Sequence, residues 1–223
     1  MIRAALLITM LAASGYSCAQ AINFSVKGLE APAEILVDEW GVPHIYANTH
    51  YDAFFVQGFN AARDRLWQID LWRKRGLGEL SSILGSNYIK QDEATRLFLY
   101  RGDMYREWLA YGSDAKPIAE AFTTGINAYV ALTEQNPDLL PPEFELLGYR
   151  PAKWQASDVV RIRSHGLLRN VPMEVRRARI VCERGLETAA KWRQLEPNWT
   201  TKIPEGFDPC AVPPNVLDLY HMA

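Results

Sequence analysis

The stretch ARDRLWQIDLWRKRG, residues 62–76, crowds five cationic side chains around two tryptophans and two carboxylates. Three readings compete: a nucleic-acid surface, a helix lying on a membrane, or the outer side of a core helix. Spacing separates them. Phe55, Phe59, Ala62, Leu66 and Ile69 recur every three or four residues and so form one stripe of a helix. Arg63, Asp70, Arg73 and Lys74 fall mostly elsewhere on the wheel. The reading is an amphipathic helix over residues 52–74, with a buried apolar stripe and a solvated, ion-paired opposite side.

Working outward, the same helical pattern fills residues 89–111, 114–134, 157–168 and 173–195. Breaks fall at Gly76 and Gly78, at Gly112, at NPDLLPPEF and at Pro172. The last of these helices has Glu174 in its first turn, where a carboxylate suits the helix dipole. Upstream, AEILVDEWGVPHIYA holds two β-favouring runs, residues 35–37 and 44–47, split by Gly41-Val42-Pro43, which predicts a small hairpin. Residues 197–223, rich in proline and turn formers, are expected to form an extended tail lying against something: a partner-wrapping segment or a processing end. The chain thus reads as a signal segment (residues 1–21), a mainly α domain with short N-terminal strands (22–196) and a tail (197–223).

The 223 residues carry 24 Lys+Arg against 26 Asp+Glu, a formal charge of -2. A duplex-binding domain carries a basic excess to displace counterions from phosphates, so no nucleic-acid partner is expected. MIRAALLITMLAASGYSCAQA offers a cation at Arg3, an apolar run over 4–13 and an A-x-A site at Ala19, Gln20 and Ala21. That pattern predicts a secretory signal peptide cut after Ala21, and the run is too short to span a bilayer. A lipoprotein cysteine at Cys18 is the alternative, although Gly15-Tyr16-Ser17 lacks the usual leucine-led pattern. Cleavage after Ala21 leaves Cys182 and Cys210 in an oxidising compartment, where they are expected to pair.

Self-contained chemistry is hard to find. His44, His50, His165 and His221 show no metal-ligand spacing, and there is no C-x-x-C pair, G-x-S-x-G elbow, P-loop or G-x-G-x-x-G. His165 in RSHGLLRN reads as a structural histidine ahead of a catalytic one, and Asp64 and Arg65 as scaffold. The residues alone describe a secreted helical domain with no catalytic constellation of its own.

A wider pattern adds more. VDEWGVPHIYA (residues 37–47), QGFNAARDRLWQIDLWRKRGLGELSSILG (57–85), TTGINAYV (123–130), LLPPEF (139–144), Trp154 and Asp158 occur in one order. Together they resemble the α-subunit of penicillin-acylase-type N-terminal-nucleophile hydrolases. The resemblance implies a periplasmic or secreted precursor that cleaves itself into a heterodimer, with this chain completing an αββα sandwich built largely by a separate β-subunit. It implies no catalytic residue in this chain, because the nucleophile opens the β-subunit and uses its own α-amino group as base.

By position, Leu167, Leu168, Asn170 and Val171 are the implied acyl-pocket residues. The HGLLRN pattern looks most like acylases acting on acyl-homoserine lactones, a quorum-quenching chemistry, or on lipopeptides such as aculeacin. A fatty-acyl, small-molecule N-acyl substrate is therefore expected ahead of a β-lactam side chain. No organic cofactor is implied. The family's α-subunit gives one carboxylate to a shared calcium site, and Glu174 is the positional match; its dipole-complementing role stays open beside that. A non-catalytic, secreted helical module that binds amphiphiles is the reading from a different class. A chain of this kind expressed alone is expected to show exposed apolar faces.

Overall fold

The computed structural model describes residues 21–163, 166, 169–192 and 200–223. Apart from Ala21, the expected signal segment lies outside them. Two strands, β1 (Glu34–Val37) and β2 (Pro43–Tyr46), pair antiparallel with Ile35 opposite Ile45, and both isoleucines pack on the core. Asp38 builds the turn: its Oδ1 accepts from the backbone N–H of Trp40 at 3.0 Å and of Val42 at 2.9 Å. Gly41 supplies the φ of 76° that a side chain would resist. Asp38 Oδ2 meets His44 Nε2 at 3.1 Å, and this contact holds the Asp38 carboxyl below its usual range.

Ten helices follow among the described residues: α1 (His50–Leu77), α2 (Ser81–Leu84), α3 (Ile89–Phe98), α4 (Met104–Ala110), α5 (Ala115–Gln135), α6 (Pro142–Leu146), α7 (Ala156–Arg161), α8 (Val171–Arg184), α9 (Leu186–Trp192) and α10 (Asp218–Met222). Thr49 opens α1 by accepting from the Asp52 N–H, and Gly78 closes it in the left-handed conformation. Within α1 the backbone leaves helical geometry at Arg65 (φ -144°, ψ 30°), so two helical halves meet there.

Two helices expected to be continuous are each divided. Residues 89–111 form α3 and α4, because Leu99 is extended and Asp103 starts a new helix by accepting from the Tyr105 N–H at 2.9 Å. Residues 173–195 divide at Gly185, whose φ of 80° and ψ of 165° suit only glycine. Apolar periodicity runs through both breaks, which is why spacing alone hid them.

The core is the crossing of α1 on α5. Phe55, Phe59, Ala62 and Leu66 of α1 meet Ile126, Tyr129 and Val130 of α5, with Phe144 and Trp154 closing the side, all nearly or fully buried. Burying one such large side chain contributes about 1.5–3 kcal/mol. Two glycines bring the backbones together: a Cβ on Gly58 would lie 1.9 Å from the Phe122 carbonyl oxygen, and one on Gly125 would lie 1.9 Å from that of Phe55. Asn127 then pins the neighbouring loop, donating to the Trp154 carbonyl and accepting from its N–H, both at 2.8 Å.

Four buried aspartates fasten loops to this frame. Asp52 accepts from the N–H groups of Glu30 (2.8 Å) and Ala31 (3.2 Å). Asp92 accepts from those of Leu80 (2.8 Å) and Ser81 (2.7 Å). Asp158 takes Arg73 Nε at 2.7 Å and the Gln155 N–H at 2.9 Å. Asp70 takes the Ala152 N–H at 3.1 Å. A buried carboxylate is costly unless it is hydrogen-bonded, and each of the four has at least one such partner.

Asp70 and Arg73 therefore correct the wheel, which put them on the solvated side: Asp70 is fully buried and the Arg73 side chain is 12% exposed. Loop 150–154 covers the face where water was expected.

The tail packs on the chain itself. Cys182 of α8 is bonded to Cys210 with Cα atoms 5.0 Å apart, and Arg179 donates to the carbonyl oxygens of Pro213 and Pro214. Closing a loop of 28 residues stabilises by about 3–4 kcal/mol in the chain-entropy account. Further on, α10 reaches α3, where Tyr220 meets Phe98 edge to face at 5.9 Å. Expected as purely extended, the tail instead carries α10 and a short helical turn at Pro209–Ala211.

Candidate functional site

The residues expected to form the acyl pocket precede and open α8. Asn170 is exposed at the helix N-cap and Val171, half-buried, is the first helical residue, followed by Pro172, whose missing N–H costs nothing there. Leu167, Leu168 and His165 lie outside the described residues. Asn170 and Val171 are thus placed side by side at one helix end, next to Glu174 one turn on.

Glu174 grips Arg177: both carboxylate oxygens lie at 2.9 and 3.0 Å from Arg177 Nη1. Arg177 is nearly buried while the Glu174 side chain is 56% exposed, so the acid faces outward over a cation held against the fold. Sequence reading missed Arg177; the i, i+3 spacing from Glu174 was the available signal.

A cavity of about 460 Å³ lies beside this pair, under the tail. Val175, Ala178 and Val181 of α8 line one side, and Ile203, Phe207 and Val216 of the tail the other. The disulfide therefore does more than join two segments, since it closes the tail over an apolar face of α8.

The donor set fits calcium only in part. That ion takes about six to eight oxygens, and no group of three or more acids, histidines or cysteines suited to a metal occurs among the described residues. Glu174 can contribute one carboxylate to a site completed from elsewhere, and only by loosening its hold on Arg177.

Asp64 and Arg65 do not pair with each other. Asp64 accepts from Arg63 Nε and from Asn60 Nδ2, each at 3.1 Å, and Arg65 reaches Gln68 at 3.4 Å.

One buried acid has altered acidity. Burial pushes the Asp70 carboxyl up, against the Ala152 N–H and the Lys74 and Arg73 charges, which pull it down. Its Oδ2 lies beside the Tyr149 hydroxyl, which in turn lies beside the Trp67 indole N–H, and none of these three atoms makes a well-formed hydrogen bond among the described residues. Burial, and then Asp70 itself, raise Tyr149 in turn.

The pH consequence follows from the sign. A carboxyl whose folded pKa is raised binds its proton more tightly folded than unfolded, so its contribution to stability falls as pH climbs from about 4. Asp70→Asn keeps an acceptor for Ala152 and removes the titration. The stability of the unsubstituted protein relative to Asp70→Asn is expected to decline between pH 4 and 7 in parallel thermal melts; a constant difference would mean that Asp70 does not titrate there.

The architecture that emerges is an α1/α5 helix pair with an N-terminal hairpin, with the candidate residues Asn170, Val171 and Glu174 at the head of α8 and no catalytic constellation among the described residues. A profile of the family described as Penicillin amidase matches residues 32–206. The chain belongs to the penicillin amidase family.

Among its relatives, penicillin acylase 2 proenzyme of Pseudomonas sp. (strain SE83) is 35% identical over 147 residues, 66% of this chain and 18% of the relative. Penicillin G acylase of Escherichia coli is 32% identical over 130 residues, 58% of this chain and 15% of that one. Acyl-homoserine lactone acylase QuiP of Pseudomonas syringae pv. tomato is 28% identical over 156 residues, 70% of this chain and 18% of that one. A solved chain of a thermostable penicillin G acylase from Alcaligenes faecalis superposes with a TM-score of 0.57 at 26% identity, covering 78% of this chain and 98% of that chain. The chain spans under a fifth of the length of these curated relatives. No helix among the described residues is long and apolar enough to cross a membrane.

Proposed function

We propose that this chain is the α-subunit of a periplasmic or secreted amide hydrolase that removes a fatty-acyl chain from acyl-homoserine lactones or related N-acyl compounds. The observation that carries the reading is family membership over residues 32–206, joined to relatives named as acylases. The aliphatic character of Leu167, Leu168 and Val171 supports the acyl preference.

The catalytic hydroxyl belongs to the first residue of a β-subunit, whose α-amino group takes the proton as the oxygen attacks the amide carbonyl. Oriented donors stabilise the oxyanion, the amine leaves, and water releases the acid. This chain's part is to wall the acyl chain with Leu167, Leu168, Asn170 and Val171, of which Asn170 and Val171 stand at the start of α8. Burial of each methylene contributes about 0.8 kcal/mol, so a two-carbon step changes binding about tenfold until the pocket fills. In hydrolysis rates over a C4 to C14 series, a rise followed by a plateau is expected; a flat profile or a preference for phenylacetyl removes the aliphatic reading.

The second reading, a β-lactam side-chain acylase, is favoured by the higher identity to the two penicillin acylases, 35% and 32%, against 28% for the QuiP protein. The same substrate series separates the two.

Glu174 is proposed as the one calcium ligand from this chain. Calcium bound by the purified heterodimer is expected to fall on Glu174→Gln, whereas full occupancy in that variant takes Glu174 out of the site and leaves it as Arg177's partner.

A further inference from the structure

The cavity under the tail combines apolar walls with two cations in its lining, Arg177 and Lys202. The Cys182–Cys210 bond closes the tail over α8, yet Ile203, Phe207 and Val216 remain 44%, 46% and 46% exposed. A segment folded back to finish a core would bury such side chains, gaining about 25 cal/mol for each Å² removed from water. These three instead stand across the cavity from Val175, Ala178 and Val181.

Charge narrows what such a cavity takes. Glu174 is the one acid in the lining, and both of its carboxylate oxygens go to a single nitrogen of Arg177, Nη1. Lys202, exposed on the tail, has no carboxylate within ion-pair distance among the described residues. Two cations and one acid leave a net positive charge beside hydrocarbon walls. An occupant with an apolar body and one anionic head complements both. Glu174 shows the head chemistry, since a carboxylate already rests on the Arg177 guanidinium at 2.9 and 3.0 Å. A peptide would bring backbone N–H and C=O groups against those hydrocarbon walls, where an unmade hydrogen bond is costly; an alkyl chain brings none. The volume of about 460 Å³ also falls within the range of small-molecule sites, about 300–1,000 Å³.

We infer that the cavity between α8 and the tail is a binding site for a free medium-chain fatty acid. The alkyl chain lies between Val175, Ala178 and Val181 on one side and Ile203, Phe207 and Val216 on the other, and the carboxylate pairs with Lys202 and Arg177. This goes beyond the amide-hydrolase reading and does not depend on it. The disulfide gains a role, because it fixes the wall that the tail supplies.

The test uses the full protein with its second chain. The probe is dodecanoic acid carrying a diazirine near the end of its chain, kept below its critical micelle concentration. Irradiation is expected to label Ile203, Phe207 or Val216. Unlabelled dodecanoate is expected to suppress that label at a concentration at least tenfold lower than dodecanol needs. A label that spares residues 203–216, whether it falls elsewhere or nowhere, overturns the inference; that is also the result if the second chain fills the cavity. Equal suppression by dodecanol overturns the carboxylate pairing and with it the site.

Two variants test the residues directly. Arg177 is nearly buried and its loss could unfold α8, so the exposed Lys202 and the half-exposed Phe207 carry the test. Lys202→Gln is expected to raise about tenfold the dodecanoate needed to suppress the label, and to leave suppression by dodecanol unchanged. Phe207→Asp, which sets a like charge in the apolar wall, is expected to abolish labelling of the tail. Unchanged suppression by dodecanoate in the first variant, or an undiminished label in the second, overturns the inference.

Discussion

Gly58→Ala is expected to abolish soluble, folded protein, and Gly125→Ala to do the same. In a helix interior, alanine is ordinarily better than glycine by about 1 kcal/mol. Here the sign reverses, because the new methyl at either position would sit 1.9 Å from a carbonyl oxygen of the other helix. That oxygen belongs to the backbone, so relief requires α1 and α5 to separate along their whole crossing, loosening Phe55, Phe59 and Ile126 together. The net loss is at least about 3 kcal/mol, above the usual range for overpacking by one methyl. Gly112→Ala is the control: its only close neighbour is a carboxylate oxygen of Asp114, at 3.1 Å and free to rotate away. Soluble yield and the thermal midpoint of the full protein distinguish the two. Near-normal melting of Gly58→Ala would mean that the helices do not approach as described.

Asp158→Ala is expected to cost about 3–5 kcal/mol, the range for removing one partner of a buried ion pair. Arg73, 12% exposed, would keep Glu79 at 4.0 Å as its one carboxylate among the described residues, and the Gln155 N–H would lose its acceptor at the start of α7. The Arg73 guanidinium also lies over the Trp154 ring at 6.0 Å, a contact too weak to hold it alone. Asp158→Asn retains an acceptor for Gln155 and is expected to fall between. A drop in thermal midpoint ordered Ala, then Asn, then unsubstituted supports the pair; equal effects would make the helix start, and not the charge, the source of the loss.

Much of this was legible in the sequence, and the reasons are local. The stripe Phe55, Phe59, Ala62, Leu66 announced α1 because helical spacing and burial coincide there. The cysteine pairing followed from a count, since the expected signal cut would leave only two. The hairpin was marked by Gly41-Val42-Pro43.

What stayed hidden depends on distant segments. A glycine inside a helix reads as a weak spot until the second helix is seen crossing it. Asp70 looked solvated because its wheel position faces away from the apolar stripe, and the loop that covers it arrives 82 residues later. At the candidate site, the place of Asn170, Val171 and Glu174 at the head of α8 was readable from Pro172. The grip of Glu174 on Arg177 and the cavity beneath the tail were not, because they need the tail folded back by its disulfide.

The four aspartate clasps also set a timetable for the chain. Asp52 and Asp92 reach partners 22 or fewer residues away, so each can close soon after its segment leaves the ribosome. Asp70 and Arg73 wait for residues 82 and 85 positions downstream. Fourfold longer loops add about 1.2 kcal/mol of closure entropy, and non-local contacts of this span are the ones that slow folding. Until loop 150–154 and the first turn of α7 arrive, α1 carries an uncovered carboxylate and guanidinium beside its apolar stripe. Those charges keep the half-made helix in water, and the same charges then lock it once the late segment docks.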